Sequence, residues 1–264
     1  MIGLVCIDVD GTLVGRTGTI DPAVWELAAR ARARGIRLAV CTGRPGFGRA
    51  REWALRLDPD GWHAFHNGAS VMHVASGRAH DIALPAVAVV HAITRARANQ
   101  RTLELYTGTD YVVERDSQRS RDHAALLGVD YRVRPLQSLA GAPVRAQWLI
   151  DHGELDAVLA EPHPGLDAVQ STSPMMPDTM FVNLTARGVG KDTGVRRIAE
   201  GCGVALDDVM FVGDSANDRS AMRVVGHAVA MGNAEPELHA LARTVVGDVD
   251  AGGLAAALEL ALRG

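Results

Sequence analysis

The 264-residue chain is 47% hydrophobic with a net charge of −4, enough apolar material for one large domain or two smaller cores. The negative balance argues against nucleic acid as the main partner. Three cysteines form no disulfide framework, and the amino-terminal apolar run is too short for a signal peptide or membrane span.

The expectation is a cytoplasmic protein engaging neither nucleic acid nor membrane; its oligomeric state, monomer or weak dimer, is not legible. Residues 2–8 read as a buried strand that delivers Asp8 and Asp10 where the chain must turn, the edge at which open α/β sheets place ligands. Asp8 is thus a candidate nucleophile or metal ligand. Gly11 permits a tight turn and close approach of a ligand oxygen to the main chain, and Thr12 adds a hydroxyl. Taken alone, Asp-x-Asp-Gly is as readily a hydrophilic turn closing a strand.

Helix 21–34, strand 36–41, helix 46–57 and strand 62–66 follow, the syntax of a parallel sheet. Thr42-Gly43-Arg44-Pro45 comes directly after the second strand, so the Thr42 hydroxyl and nearby amides are placed to hold an anionic oxygen beside Asp8. The same residues equally make a turn with Pro45 early in a helix.

From residue 85 the pattern changes. It reads as helix 86–98, strands 103–106 and 111–114 joined by a hairpin signal, helix 117–127, strands 129–133 and 144–150, helix 153–160, and strands 166–171 and 179–185. Pro85 and the stretch 185–188 are plausible hinges. The expected fold is α/β: a doubly wound, Rossmann-like parallel-sheet core of residues 1–84 and 186–264, with an inserted α/β cap of residues 85–185.

Helix 191–202, strand 208–213, helix 216–224, strand 227–230 and helices 235–242 and 251–262 complete the chain. Of its 27 basic residues a single one, Lys191, is lysine. It opens a helix, where a cation costs about 0.3–1 kcal/mol unless an anion joins it. Strand 208–213 runs into Gly213-Asp214-Ser-Ala-Asn217-Asp218. Hard oxygen ligands suit Mg²⁺, and Asp8, Asp10 and Asp214 form such a set, with Asn217 and Asp218 able to orient them. A capped helix start would use the same Ser-Ala-Asn-Asp residues without chemistry.

Together, Asp8-Val-Asp10-Gly-Thr12, Thr42, Lys191 and Gly213-Asp214-Ser-Ala-Asn217-Asp218 resemble, in order and spacing, the haloacid dehalogenase superfamily of phosphatases. The insert and His66-Asn67-Gly68-Ala69 are similar to the Cof-type branch of subfamily IIB. The resemblance implies a phosphatase in which Asp8 attacks phosphorus and Asp10 serves as general acid and base. Mg²⁺ would be held by the Asp8 carboxylate, the Asp10 carbonyl and Asp214, with Asp218 steadying Lys191 or metal-bound water. Lys191, Thr42 and the Gly11 and Thr12 amides would hold the transferring oxygens, with Asn217 also on phosphate.

Specificity would come from Gly43, Arg44, His66 and Asn67 on the core, and from cap residues near Trp148 and in the 173–180 loop. The expected partner is a small phosphorylated molecule; at 4% aromatic residues a sugar phosphate leads over a stacked ring. A phosphosugar mutase and a non-hydrolytic phosphometabolite-binding regulator are the competing readings. A dehalogenase would not use a proton donor at Asp10, and a receiver domain leaves the insert unexplained.

Overall fold

The computed structural model describes residues 1–263. The first stretch contains β1 (Leu4–Ile7), α1 (Pro22–Ala33), β2 (Arg37–Val40), α2 (Arg49–Leu57), β3 (Trp62–Phe65), β4 (Ser70–His73) and β5 (Arg78–Asp81). The middle contains α3 (Ala86–Ala98), β6 (Thr102–Tyr106), β7 (Tyr111–Val113), α4 (Gln118–Leu127), β8 (Arg145–Ile150), α5 (Leu155–Ala160), β9 (Leu166–Ser171) and β10 (Met180–Ala186). The last contains α6 (Lys191–Cys202), β11 (Val209–Gly213), α7 (Arg219–Met222), β12 (His227–Ala230), α8 (Pro236–Leu241), β13 (Thr244–Val245) and α9 (Gly253–Arg263).

The first and last stretches share a parallel sheet in the order β13-β12-β11-β1-β2. Between β11 and β2 lies β1, Leu-Val-Cys-Ile, buried at every position, the continuous apolar run required of a strand covered on both faces. Helix α1 starts where Asp21 accepts a hydrogen bond from Ala23 N with Pro22 in the first turn, and it buries Val24, Leu27, Ala28 and Ala31. Helix α6 packs tightly on the 66–68 turn: a Cβ at Gly194 would overlap Ala64, and one at Gly68 would overlap the Gly190 carbonyl. This close approach brings the start of α6 to the carboxyl edge of the sheet.

The middle segment forms an antiparallel sheet, β7-β6-β8-β10-β9, with an apolar cluster of its own. Leu103, Leu105, Ala146, Trp148, Ile150, Met180, Val182 and Leu184 pack beneath Ala88, Ala92, Ile93 and Ala96 of α3 and Val158 of α5. The opposite face carries Glu104, Arg145, Gln147 and Asn183, all buried; Gln147 pairs with Glu104 on one side and Asn183 on the other.

Several elements differ from the sequence expectation. Residues 129–133 form no strand: beyond the left-handed Gly128 that ends α4, Asp130, Arg132 and Val133 are exposed and one bridge, Val113 to Val133, is made. The expected helix 216–224 is a 3₁₀ turn, Ala216–Asp218, followed by the short α7. Strand β3 pairs antiparallel with β4 and meets the parallel sheet through the Cys41–Ala64 bridge and through His63 Nδ1, which accepts from Val40 N at 3.0 Å. The hairpin β4–β5 and the edge strand β13 had no legible signal, since β5 and β13 are exposed throughout. No helix among the described residues is long and apolar enough to cross a membrane.

Candidate active site

Parallel register sets the site. Ile7 lies beside Val40 on one side and Val212 on the other, so Asp8, Thr42 and Asp214 all emerge at one edge, within two residues of those partners. Asp8 is 3% exposed, and its amide donates to Val212 O at 3.0 Å. Lys191, the first residue of α6, is 1% exposed; its Nζ lies 2.5 Å from Asp8 Oδ1 and 2.6 Å from Asp218 Oδ1. The other Asp218 oxygen accepts the amides of Asp214 (2.9 Å) and Ser215 (3.1 Å). The cation expected to be misplaced at a helix start is thus neutralised by two carboxylates.

Burial, and then the charge of Asp218, push Asp8 up to about 7 despite Lys191. Burial followed by Asp8 and Asp218 raise Asp214 well above the usual carboxylate range. Burial disfavours charged Lys191, but Asp218 and Asp8 outweigh it and hold the ammonium above its ordinary value. Three carboxylates, Asp8, Asp214 and Asp218, offer oxygens within 4.8 Å of one another, against a single lysine. This hard-oxygen donor set lacks positive charge, and a divalent cation fits it.

The carboxylate of Asp10 turns away from that cluster. Arg44 grips it with Nε at 2.8 Å and Nη2 at 2.7 Å, and the Ser173 hydroxyl donates to Oδ1 at 2.8 Å. Burial alone would raise Asp10, but the Arg44 charge and hydrogen bonds, with help from Ser173, hold it below the usual range. The Asp10 side chain is thus committed to Arg44 and Ser173, and of its oxygens the main-chain carbonyl, the one the resemblance assigns to Mg²⁺, stays available for a metal.

Gly11 and Thr12 use in the turn the amides that the resemblance assigns to the transferring oxygens. Their amides close the turn internally, Gly11 N to Val14 O at 2.9 Å and Thr12 N to Val9 O at 3.3 Å, while the amides of Val9 and Asp10 donate to no backbone carbonyl among the described residues. Gly11, at φ 83°, is needed because a side chain there would overlap the Asp214 carboxylate. The Thr12 hydroxyl donates to Asp214 at 3.1 Å. Asn233, which the sequence reading passed over, donates to both Gly11 O (2.8 Å) and Asp214 (3.3 Å). Its only signal is a Gly-Asn pair after a core strand, common to many turns.

Thr42, Gly43, Arg44 and Asn217 line a cavity with Asp8 and Asp10. Asn67 supports them from behind, donating its amide to Thr42 O at 2.9 Å and accepting from Asn217 Nδ2 at 3.1 Å; it faces a neighbouring cleft instead. His66 is fully buried against Tyr106 and lines neither space. Trp148 lies on the far face of the middle sheet, under α3. The strand alternation that buries it turns Arg145 and Gln147 toward the cavity. From the 173–180 loop Ser173 reaches the site, whereas Met176 packs on Leu149 and Phe181 and Met180 in the apolar cluster.

The cavity measures about 40 Å³, room for a few waters and not for a phosphomonoester. Three bonds hold the middle segment down on it: Ser173 to Asp10, Arg44 Nη1 to Leu126 O at 2.9 Å, and Arg145 Nη1 to Gly43 O at 2.5 Å. Room for a larger ligand in this cavity requires those bonds to lengthen or part.

The sequence pattern of the haloacid dehalogenase-like hydrolases matches residues 5–258. A haloacid dehalogenase-like hydrolase from Bacteroides thetaiotaomicron superposes with a TM-score of 0.86 at 25% identity, covering 98% of this chain and 99% of the other. A subclass IIB sugar phosphatase of the same superfamily shares the fold at a TM-score of 0.84 and 23% identity, over 97% and 98% of the two chains. The HMP-PP phosphatase of Cronobacter sakazakii is 24% identical over 90% of this chain and 87% of its own length. The chain belongs to the haloacid dehalogenase-like hydrolases.

Proposed function

We propose that the protein is a Mg²⁺-dependent phosphatase that hydrolyses a small phosphomonoester, a sugar phosphate fitting best, through an aspartyl-phosphate on Asp8. The observation that carries this reading is the buried Asp8 carboxylate held 2.5 Å from Lys191, with Asp10 lining the same cavity. Residues 85–185 act as the cap, and the polar inner face of their sheet suits a hydroxylated leaving group better than an aromatic one.

Asp8 attacks phosphorus, the bond from phosphorus to the leaving oxygen breaks, and that oxygen takes a proton from Asp10. Water then attacks the phosphorus of the aspartyl-phosphate, its proton passes to Asp10, and the Asp8 carboxylate leaves with release of inorganic phosphate. Lys191 stays beside Asp8 throughout, offsetting the repulsion between two anions. Asp8, Asp214 and the Asp10 carbonyl would hold Mg²⁺, which would supply charge neutralisation at the transferring oxygens. Asp218 accepts from Lys191 and from two amides, so its part is to position the lysine.

Paired with Arg44, Asp10 is an ionised carboxylate, ready to accept the proton of the second step. To donate in the first it must part from Arg44, and the entering phosphate dianion is the anion that competes for the guanidinium. The thiol-free, hydroxyl-bearing Thr42 stands at the same edge with its own proton available: it accepts from Arg44 N at 3.1 Å and can donate to a phosphoryl oxygen.

Inorganic phosphate release from a panel of sugar, nucleotide, flavin and pyridoxal phosphates tests the reading. Release from wild type with Mg²⁺, abolished by chelator and reduced at least about 10⁴-fold in Asp8→Asn, is the expected result. Release that survives either change overturns the mechanism.

A further inference from the structure

We propose that the inner face of the middle sheet is a subsite for a second anionic group on the leaving portion of the substrate, a carboxylate or a further phosphate, with Arg145 as its cation. The proposal rests on the phosphatase reading above and names the class of ester within it.

Arg145 begins β8, is 2% exposed, and lines the same cavity as Asp8 and Asp10. Its Nη1 donates to two neutral oxygens, Gly43 O at 2.5 Å and Asn183 Oδ1 at 2.9 Å, and its guanidinium packs 4.2 Å from the centre of the Tyr106 ring. Its Nε and Nη2 have no acceptor, and no carboxylate is in ion-pair contact with it among the described residues. The other charges around the cavity are matched: Asp8 with Lys191, Asp10 with Arg44. Glu104, the carboxylate on the same sheet face, directs Oε2 to the Tyr106 hydroxyl at 2.5 Å and His123 Nδ1 at 2.8 Å.

A buried guanidinium held by neutral acceptors alone is poorly compensated, and an anion arriving with the substrate is the partner it lacks. Gln147, two residues along the strand and on the same face, also lines the cavity and has Oε1 without a donor; it is placed to accept from a hydroxyl on the same leaving group. Because Arg145 also bonds Gly43 beside Thr42, a ligand spanning Asp8 and Arg145 would take over that link between core and cap.

The test compares matched ligands: 3-phosphoglycerate against glycerol 3-phosphate for a carboxylate, and fructose 1,6-bisphosphate against fructose 6-phosphate for a second phosphate. Binding to Asp8→Asn protein with Mg²⁺ is read by calorimetry. At least one member with the second anionic group binds about 10- to 100-fold more tightly than the counterpart lacking it, and the ratio falls toward unity in Asp8→Asn carrying Arg145→Gln. Gln147→Glu, which gives Arg145 a carboxylate of its own with little change of shape, removes the preference too. Equal binding within both pairs, or a preference that survives Gln147→Glu, overturns the proposal. Wild type failing to hydrolyse any of the four esters would count against the phosphatase reading and leave the binding comparison intact.

Discussion

In the core sheet the strands β1 and β11 are apolar throughout, and chemistry starts just beyond them: Asp8 after Ile7, Asp214 after Gly213, with Thr42 in the same place after the residue that follows β2. In the middle sheet polar and apolar residues alternate within each strand, Glu104 between Leu103 and Leu105, Gln147 between Ala146 and Trp148, Asn183 between Val182 and Leu184. A parallel sheet covered by helices on both faces has only its strand ends free for ligands. An antiparallel sheet covered on one face can give the other entirely to a site. The proposed mechanism therefore confines the reaction to one edge in the core and leaves the inner face of the middle sheet to the leaving group.

The comparison breaks most severely at the one residue where both functions of the core meet. Lys191→Met removes the only cation from a buried cluster of carboxylates, so it should lower stability by about 3–5 kcal/mol in urea denaturation and cut turnover about 100- to 1000-fold. A stable, active variant would mean that the carboxylates are neutralised some other way.

The two sides of the cap strands separate next. Trp148→Ala removes a large side chain from under α3, with an expected loss of about 3–5 kcal/mol and kcat/KM of the folded protein changed by no more than a few-fold. Ser173→Ala does the reverse: it removes the cap hydroxyl from Asp10, lowering kcat about three- to tenfold while the unfolding midpoint scarcely moves. Exchange of these two outcomes would show that the alternation assigns the faces wrongly.

How much of this was legible follows the same division. The core motifs could be read because strand ends, Gly-rich turns and clustered acids are local in sequence, and Asp8, Thr42, Lys191, Asp214 and Asp218 meet where parallel strands end together. The partner of Asp10 could not: Arg44 and Ser173 approach it from a core turn and a cap loop, and nothing in either segment announces the meeting. Gly11 and Thr12 carried the right residue types for an anion cradle, yet their amides are used by the turn itself. Of the cap residues near Trp148, a period of two turns Arg145 and Gln147 toward the cavity and Trp148 itself away from it. The strand expected at 129–133 failed because exposed Asp130 and Arg132 gave it no face to bury.

The central claim is that Asp8 becomes covalently phosphorylated. Wild-type protein turning over a hydrolysed phosphomonoester with Mg²⁺ would be quenched, reduced with borohydride to convert an aspartyl-phosphate to homoserine, digested with trypsin and sequenced by mass spectrometry. The account predicts homoserine at Asp8 in the peptide ending at Arg16, dependent on both substrate and Mg²⁺. Modification at Asp10, or none under conditions that trap such esters in a related phosphatase, would contradict it.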